Sequence, residues 1–426
     1  MREQVQAQAL PDVESLTIDP EHYYRQVLHG YYQFDCVVQE GVTRSAKFYI
    51  PENTVFNQPT VFVAVPDGEE SWEFLVKSGW KQMADERHLC IVLMEPENGA
   101  WKDEEADMAY IAALNEDVRF RPFFCAFSSN FYGVAYGTAD TLGTQARIPP
   151  KCWAGIALLG SQGMTEEEKT FLEEKETKVP GVTCSQVQMP VWIAAAEKTE
   201  DVERELAFYC GADHSGGSRT MEEGGEIWTP QAGGTVDEHW CANVVFDRRN
   251  WEDCLGFDCA SRIYDTVFAG VYRYPGNGNG ALRRNGDIRS RGFQKFSEKV
   301  AGGYYEDGRD SYRREWWVYL PESADRTKPV PAVFVFHGAG GSCDEIADRS
   351  GWAYVAEKYG FLIICPGASV PNRVRHVSNM VTNEMFRSMW NTGNPQKERP
   401  ADMLFIDYLY QWLTEHYNVD RSRIYA

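Results

Sequence analysis

No run of about 18 apolar residues occurs in the 426-residue chain, so no apolar membrane-spanning helix is expected. The opening segment, MREQVQAQALPDVESL, has no apolar stretch after Arg2 and does not read as an export signal. Basic residues are in deficit, with 42 Lys and Arg against 63 Asp and Glu and a net charge of -21. A surface of that sign repels nucleic acid and anionic lipid, so neither is expected as a partner. The 11 cysteines are odd in number and form no regular framework, and Cys90, Cys152 and Cys365 lie in apolar runs where a thiol packs as a small hydrophobe. Reduced thiols and a cytoplasmic setting are expected, with secretion left open. The one close pair, Cys254 and Cys259, lacks a second pair to complete a zinc site, and no metal or cofactor is expected.

What the chain does have is an internal repeat. Residues 49–52 read YIPE and residues 319–322 read YLPE, and PTVFVAVPDG from Pro59 answers PAVFVFHGAG from Pro331. SGWKQMADERHLCIVLMEP from Ser78 matches SGWAYVAEKYGFLIICPGA from Ser350. DMAYIAAL from Asp107 then matches DMLFIDYL from Asp402, and NFYG from Asn130 matches RIYA from Arg423. Five matches in one order, with only short gaps between their offsets, predict a tandem duplication.

The second copy gives the clearer pattern. Residues 315–320, 332–336 and 361–365 are apolar or β-branched runs, the last two short enough for strands buried on both faces. Trp352, Val355, Ala356 and Tyr359 fall at helical spacing and predict a buried face, closed by Gly360. Pro400 opens a second helix with Leu404, Phe405, Tyr408, Leu409 and Trp412 on one stripe, and a strand begins at Arg423. The first copy follows the same order and adds strands at 131–136, 153–159 and 191–196. Strands alternating with amphipathic helices predict an α/β fold with mostly parallel, doubly wound sheets.

The motif richest in chemistry is FVFHGAGGSCDE, residues 334–345. A buried strand running into His-Gly-x-Gly-Gly places small residues where the backbone bends and its N–H groups can converge on an oxyanion. A plain glycine turn, with His337 as a loop brace, is the alternative. The order YLPES, PAVFVFHGAGG, SGWAYVAEKYGFLIICPGA, Trp390-Asn391, a helix from Asp402 and YNVDRSRIYA resembles the α/β-hydrolase esterases grouped with polyhydroxybutyrate depolymerases and feruloyl esterases. The resemblance implies that Gly338, Ala339 and Gly340 form the oxyanion-hole segment, and that a strand like RIYA leads into a G-x-S-x-G elbow. It also implies tandem α/β-hydrolase-like domains, the second incomplete: a degenerate one over 20–275, a Gly/Asn-rich linker over 276–289 and the N-terminal part of an esterase-type domain over 290–426. The second copy's nucleophile, acid and base are expected in a complementary C-terminal segment beyond Ala426.

The first copy does not supply the missing groups. Ala135-Tyr136-Gly137-Thr138-Ala139 falls over the expected elbow, with Gly137 where serine should stand and Thr138 poorly placed to replace it. Val65-Pro66-Asp67-Gly68 replaces the glycine loop, and Pro66 removes a donor. Glu197, Glu200 and Asp201, after a later strand, read as a solvated turn; Asp213 and His214 read as loop residues. Asp237, Glu238, His239 and Cys241 read as a polar turn in preference to a metal site. Two functions follow: a serine carboxylester hydrolase acting on a small or polymeric ester, or a non-catalytic pseudo-hydrolase that binds. A serine peptidase or acyl transferase on the same fold is a third.

Overall fold

The computed structural model describes residues 5–11 and 28–426, apart from 53, 55–57, 103, 121–125, 138, 149–151, 222–223, 232–240, 275–279, 287, 289–290, 302–309, 339–340, 369–389 and 393–400. Contacts divide the described chain into two units, residues 28–284 with 5–10, and residues 285–426. Among the described residues no helix is long and apolar enough to cross a membrane.

The first unit is built on strands β1 (Gly30–Gln39), β2 (Val42–Ile50), β3 (Gln58–Ala64), β4 (Cys90–Met94), β5 (Ala126–Tyr136), β6 (Gly155–Leu159), β7 (Val191–Ala194) and β8 (Val244–Asp247). They lie in the order β1-β2-β4-β3-β5-β6-β7-β8, and short strands at Gln8–Ala9, Glu226–Pro230 and Ser215–Thr220 extend the two edges. From β4 to β8 every pairing is parallel, while β1, β2 and β4 pair antiparallel. The sequence dictates this layering. β4, β6 and β7 are apolar throughout and buried at every residue, as strands covered on both faces must be, whereas the second half of β1 alternates between buried and exposed. The expected α/β class, with its mostly parallel sheet, is what the chain forms.

The second unit has β9 (Gln294–Ala301), β10 (Ser311–Tyr319), β11 (Val330–Phe334), β12 (Leu362–Pro366) and β13 (Val419–Tyr425), in the order β9-β10-β12-β11-β13. That is the order of β1-β2-β4-β3-β5, and the pairing registers coincide as well. Thr60 pairs with Cys90 on one side and Phe131 on the other, and Ala332 pairs with Leu362 and Ile424. Phe131 aligned with Ile424 is the alignment that puts Gly137 at the elbow position.

Side chains repeat the correspondence. Arg44 on β2 ion-pairs with Asp107 at 2.6 Å, and Arg314 on β10 with Asp402 at 2.6 Å. Each guanidinium also lies over a ring of the same helix as its acid, Tyr110 at 3.9 Å and Phe405 at 4.6 Å. The Tyr49 hydroxyl donates to Asp85 and the Tyr319 hydroxyl to Glu357, each acid on the helix after the following strand. Trp101 Nε1 donates to the Val65 carbonyl and Trp390 Nε1 to the His337 carbonyl, fixing the start of the corresponding loops.

Two sequence expectations need correction. Helix Trp352–Tyr359 does not bury the predicted face: Ala353 and Ala356 pack inward, while Val355 and Tyr359 are exposed and Trp352 is 36% exposed. In the first unit the equivalent Trp80 is fully buried, stacked on Phe268 and donating to the Tyr136 hydroxyl. No counterpart of the Phe268 segment covers Trp352 among the described residues, so the helix docks through its alanines. The stretch 276–289 is not one solvated connection either. Ala281–Arg284 pairs antiparallel with Val271–Tyr274, and Ile288 packs in the second unit's core.

Candidate functional site

In an open parallel sheet, ligands gather beyond the carboxyl ends of the strands. At that end of the first unit the turns after β5, β6, β7 and β8 enclose a cavity of about 450 Å³, lined by Gly137, Gly160-Ser161-Gln162, Ala195-Ala196-Glu197, Thr199, Val202 and Asn250-Trp251-Glu252. Gly137 has φ +70 and Gly160 has φ +92, conformations that cost L side chains energy and suit glycine. The turns are therefore free to bend tightly, and the Trp251 indole lies across both. A Cβ built on Gly137 would come 3.2 Å from Trp251 Nε1, and one built on Gly160 would come 3.1 Å from its Cδ1. The indole occupies the space a nucleophilic side chain at position 137 would need. Sequence reasoning identified Gly137 but missed Trp251, whose only signal was its place after the last parallel strand.

The N–H groups of Val65, Gly68 and Glu69 donate to the carbonyls of Met94, Gly99 and Pro66, and Pro66 has no N–H, so the loop after β3 has few donors left for an oxyanion. Thr138, Asp237, Glu238 and His239 lie outside the described residues. Ser161 lines the cavity, but it is buried and held between carboxylates, its Oγ 2.8 Å from Glu205 and 3.2 Å from Asp140, while Gly163 N donates to it at 3.0 Å. Glu205 is itself locked against Arg147 in a buried pair. Burial raises the Glu205 carboxyl above its ordinary range, an effect that the Arg147 charge and the Ser161 bond only partly reverse.

The acids expected in a solvated turn separate in the structure. Glu197 is exposed at the cavity rim, whereas Glu200 and Asp201 form the first turn of helix Glu200–Ala212 and pair with Arg204. Asp213 lies in the turn after that helix, where it is the fully buried C-cap, accepting the Met189 N–H at 2.8 Å. Burial pushes its carboxyl well above the usual range, against the Met189 bond and the Arg273 charge. His214 follows with φ +53.

In the second unit the predicted oxyanion segment is only partly described. Gly338 is exposed, with its carbonyl accepting from Gly341 N at 3.1 Å, while Ala339 and Gly340 lie outside the described residues. His337 acts as the brace. Its Nε2 accepts the Ala368 N–H at 2.9 Å, so its Nδ1 carries the proton and donates to the Gly338 carbonyl at 2.7 Å. Burial lowers its pKa, outweighing the Gly338 carbonyl and Asp402, so the ring is held neutral with both nitrogens occupied. Nearby, Glu315, Cys343 and Asp344 come within 4.8 Å of one another, the one such donor group among the described residues. Lys295 Nζ already fills the cation position, 3.2 Å from Glu315 and 3.1 Å from Asp344. Burial would lower its pKa, but Asp344 and Glu315 hold it above the usual range.

No family profile and no curated protein matches the chain. Among solved structures, an acetyl xylan esterase from Aspergillus awamori is similar at 11% identity and TM-score 0.37, over 51% of this chain and 92% of that one. Est1E from Butyrivibrio proteoclasticus is similar at 12% identity and TM-score 0.30, over 42% and 84%. The poly(3-hydroxybutyrate) depolymerase LpqC from Bordetella parapertussis is similar at 13% identity and TM-score 0.29, over 44% and 76%. The fold class itself rests on strand order and direction.

Proposed function

We propose that the protein is a tandem duplication of the serine carboxylester hydrolase type, resembling polyhydroxybutyrate depolymerases and feruloyl esterases, in which the first unit binds and does not hydrolyse. The observation that carries this reading is the Trp251 indole set against Gly137: the elbow position has no side chain, and one placed there would have to displace the indole. A cavity nonetheless persists at the same strand ends, of a size that suits a small molecule and with no histidine among its described lining residues.

Ester chemistry in this reading belongs to the second unit. Gly338, Ala339 and Gly340 are its oxyanion-hole segment, and His337 braces the start of the loop at Gly338. β13 holds the register of β5, and this reading assigns the nucleophile of the site to the turn that follows β13. The equivalence of the Arg44–Asp107 and Arg314–Asp402 pairs, each joining a strand to the helix that begins at the matched Asp-Met, supports duplication.

The test is exposure of the full chain to a fluorophosphonate and to p-nitrophenyl acetate, followed by peptide mapping. No adduct should appear within residues 28–284. A stoichiometric adduct there, on Ser161 above all, would overturn the binding assignment.

A further inference from the structure

We infer that the first unit's cavity is a site for an organic cation, a small molecule bearing an ammonium or quaternary ammonium group. This deepens the binding reading above and rests on it. The cavity of about 450 Å³ matches the size of small-molecule sites. The charged residues of its lining are of one sign: Glu197 and Glu252 are among them, and no Lys or Arg is, among the described residues. Neither carboxylate forms an ion pair with a described residue. The nearest cations in sequence are already engaged, Lys198 with Glu226 at 3.0 Å and Arg249 with Asp247.

The aromatic component completes the recognition. Trp251 forms part of the cavity wall, and its pyrrole edge is set against Gly137 and Gly160. Tyr136 contacts it edge-on, with centroids 6.4 Å apart, and helps hold the ring in place. A cation over an indole face gains from the ring quadrupole, and carboxylates beside the ring add Coulomb attraction in a partly desolvated pocket. Of the possible ligand classes, an anion meets repulsion from both glutamates and from a chain of net charge -21. A metal ion lacks its donors, because the one close group of three acidic or thiol ligands among the described residues is elsewhere, at Glu315, Cys343 and Asp344. A neutral polyol could stack on Trp251, but it would gain nothing from the two negative charges of the lining.

Calorimetric titration of the full chain with tetramethylammonium and with putrescine tests the inference, with methyl glucoside and acetate as neutral and anionic probes. Binding of at least one cation at millimolar or lower concentration is expected, weakening as salt is raised. Trp251→Ala should weaken it about ten-fold or more, and Glu197→Gln or Glu252→Gln about three- to ten-fold each, values in the range of a partly desolvated cation–aromatic or charge contact. Trp251→Phe, which keeps an aromatic face, should retain part of the affinity, and a circular dichroism melt of each variant separates lost binding from lost fold. Absence of binding by both cations overturns the inference. So does methyl glucoside binding that the glutamate variants leave unchanged. A fluorophosphonate adduct in residues 28–284 would sink the binding reading without altering the cation titration, so the two failures are distinguishable.

Discussion

Gly137→Ser restores a hydroxyl to the elbow position and measures how firmly that position has been closed. The backbone there has φ +70, and holding an L side chain in the left-handed region costs about 1–2 kcal/mol. The new Cβ would sit 3.2 Å from Trp251 Nε1 and 3.4 Å from Cε2, so the indole has to give by a few tenths of an ångström. Trp251 is half-buried and can move, which puts this overpacking near the low end of its range, about 1 kcal/mol. The single variant should therefore lose about 2–3 kcal/mol in urea unfolding. Trp251→Ala removes the obstruction, so in the double variant the steric part vanishes and the backbone part stays. The cycle should show a coupling of about 1 kcal/mol, the double variant being less destabilised than the sum of the singles. Turnover of p-nitrophenyl acetate should stay at background in all three variants, because the Val65–Glu69 donors remain engaged. Strict additivity would refute the contact between Trp251 and position 137. Serine-dependent turnover by Gly137→Ser would refute the loss of the catalytic apparatus.

Three further outcomes follow from the packing. Gly79→Ala should cost more than about 3 kcal/mol, because φ is +85 and its Cβ would lie 2.3 Å from Phe257 N; at the equivalent Gly351, where nothing lies within 4 Å, alanine should cost only about 1–2 kcal/mol. Hydrogen exchange of helices Trp80–Arg87 and Trp352–Tyr359 reads each cost, and equal losses would count against the clash. Arg314→Met leaves the fully buried Asp402 without its cation and should destabilise the second unit by about 3–5 kcal/mol, with Arg314→Met/Asp402→Leu recovering much of the loss in chemical denaturation. Asp213 has a folded pKa above its unfolded value near 3.9, so the native state binds the extra proton and this group's contribution falls as pH rises from about 4 toward its folded pKa. Asp213→Asn should flatten that decline and melt higher than wild type at alkaline pH; parallel Tm–pH curves for the two proteins would contradict it.

Much of the architecture was legible along the chain because it is written in local pattern. All-apolar runs such as residues 90–94 and 155–159 can only be strands covered on both faces, and the repeated motifs fixed the correspondence of Phe131 with Ile424 that the pairing registers reproduce. That correspondence sufficed to put glycine at the elbow and so to remove the nucleophile. Packing between distant segments was not legible, because no local periodicity encodes it. Nothing near Trp251 in sequence says that its ring will lie over Gly137 and Gly160, nothing near Asp213 says that a polar helix end will be buried, and the helical spacing of Trp352, Val355 and Tyr359 is the same whether or not another segment covers them. The sequence by itself determined the buried parallel strands and the glycine at position 137, since these depend on residue type and short spacing. Only the tertiary structure decided the order of the strands in the sheet and that an indole lies against Gly137 in a cavity also lined by Glu197 and Glu252, since that depends on which turns the sheet brings to one end.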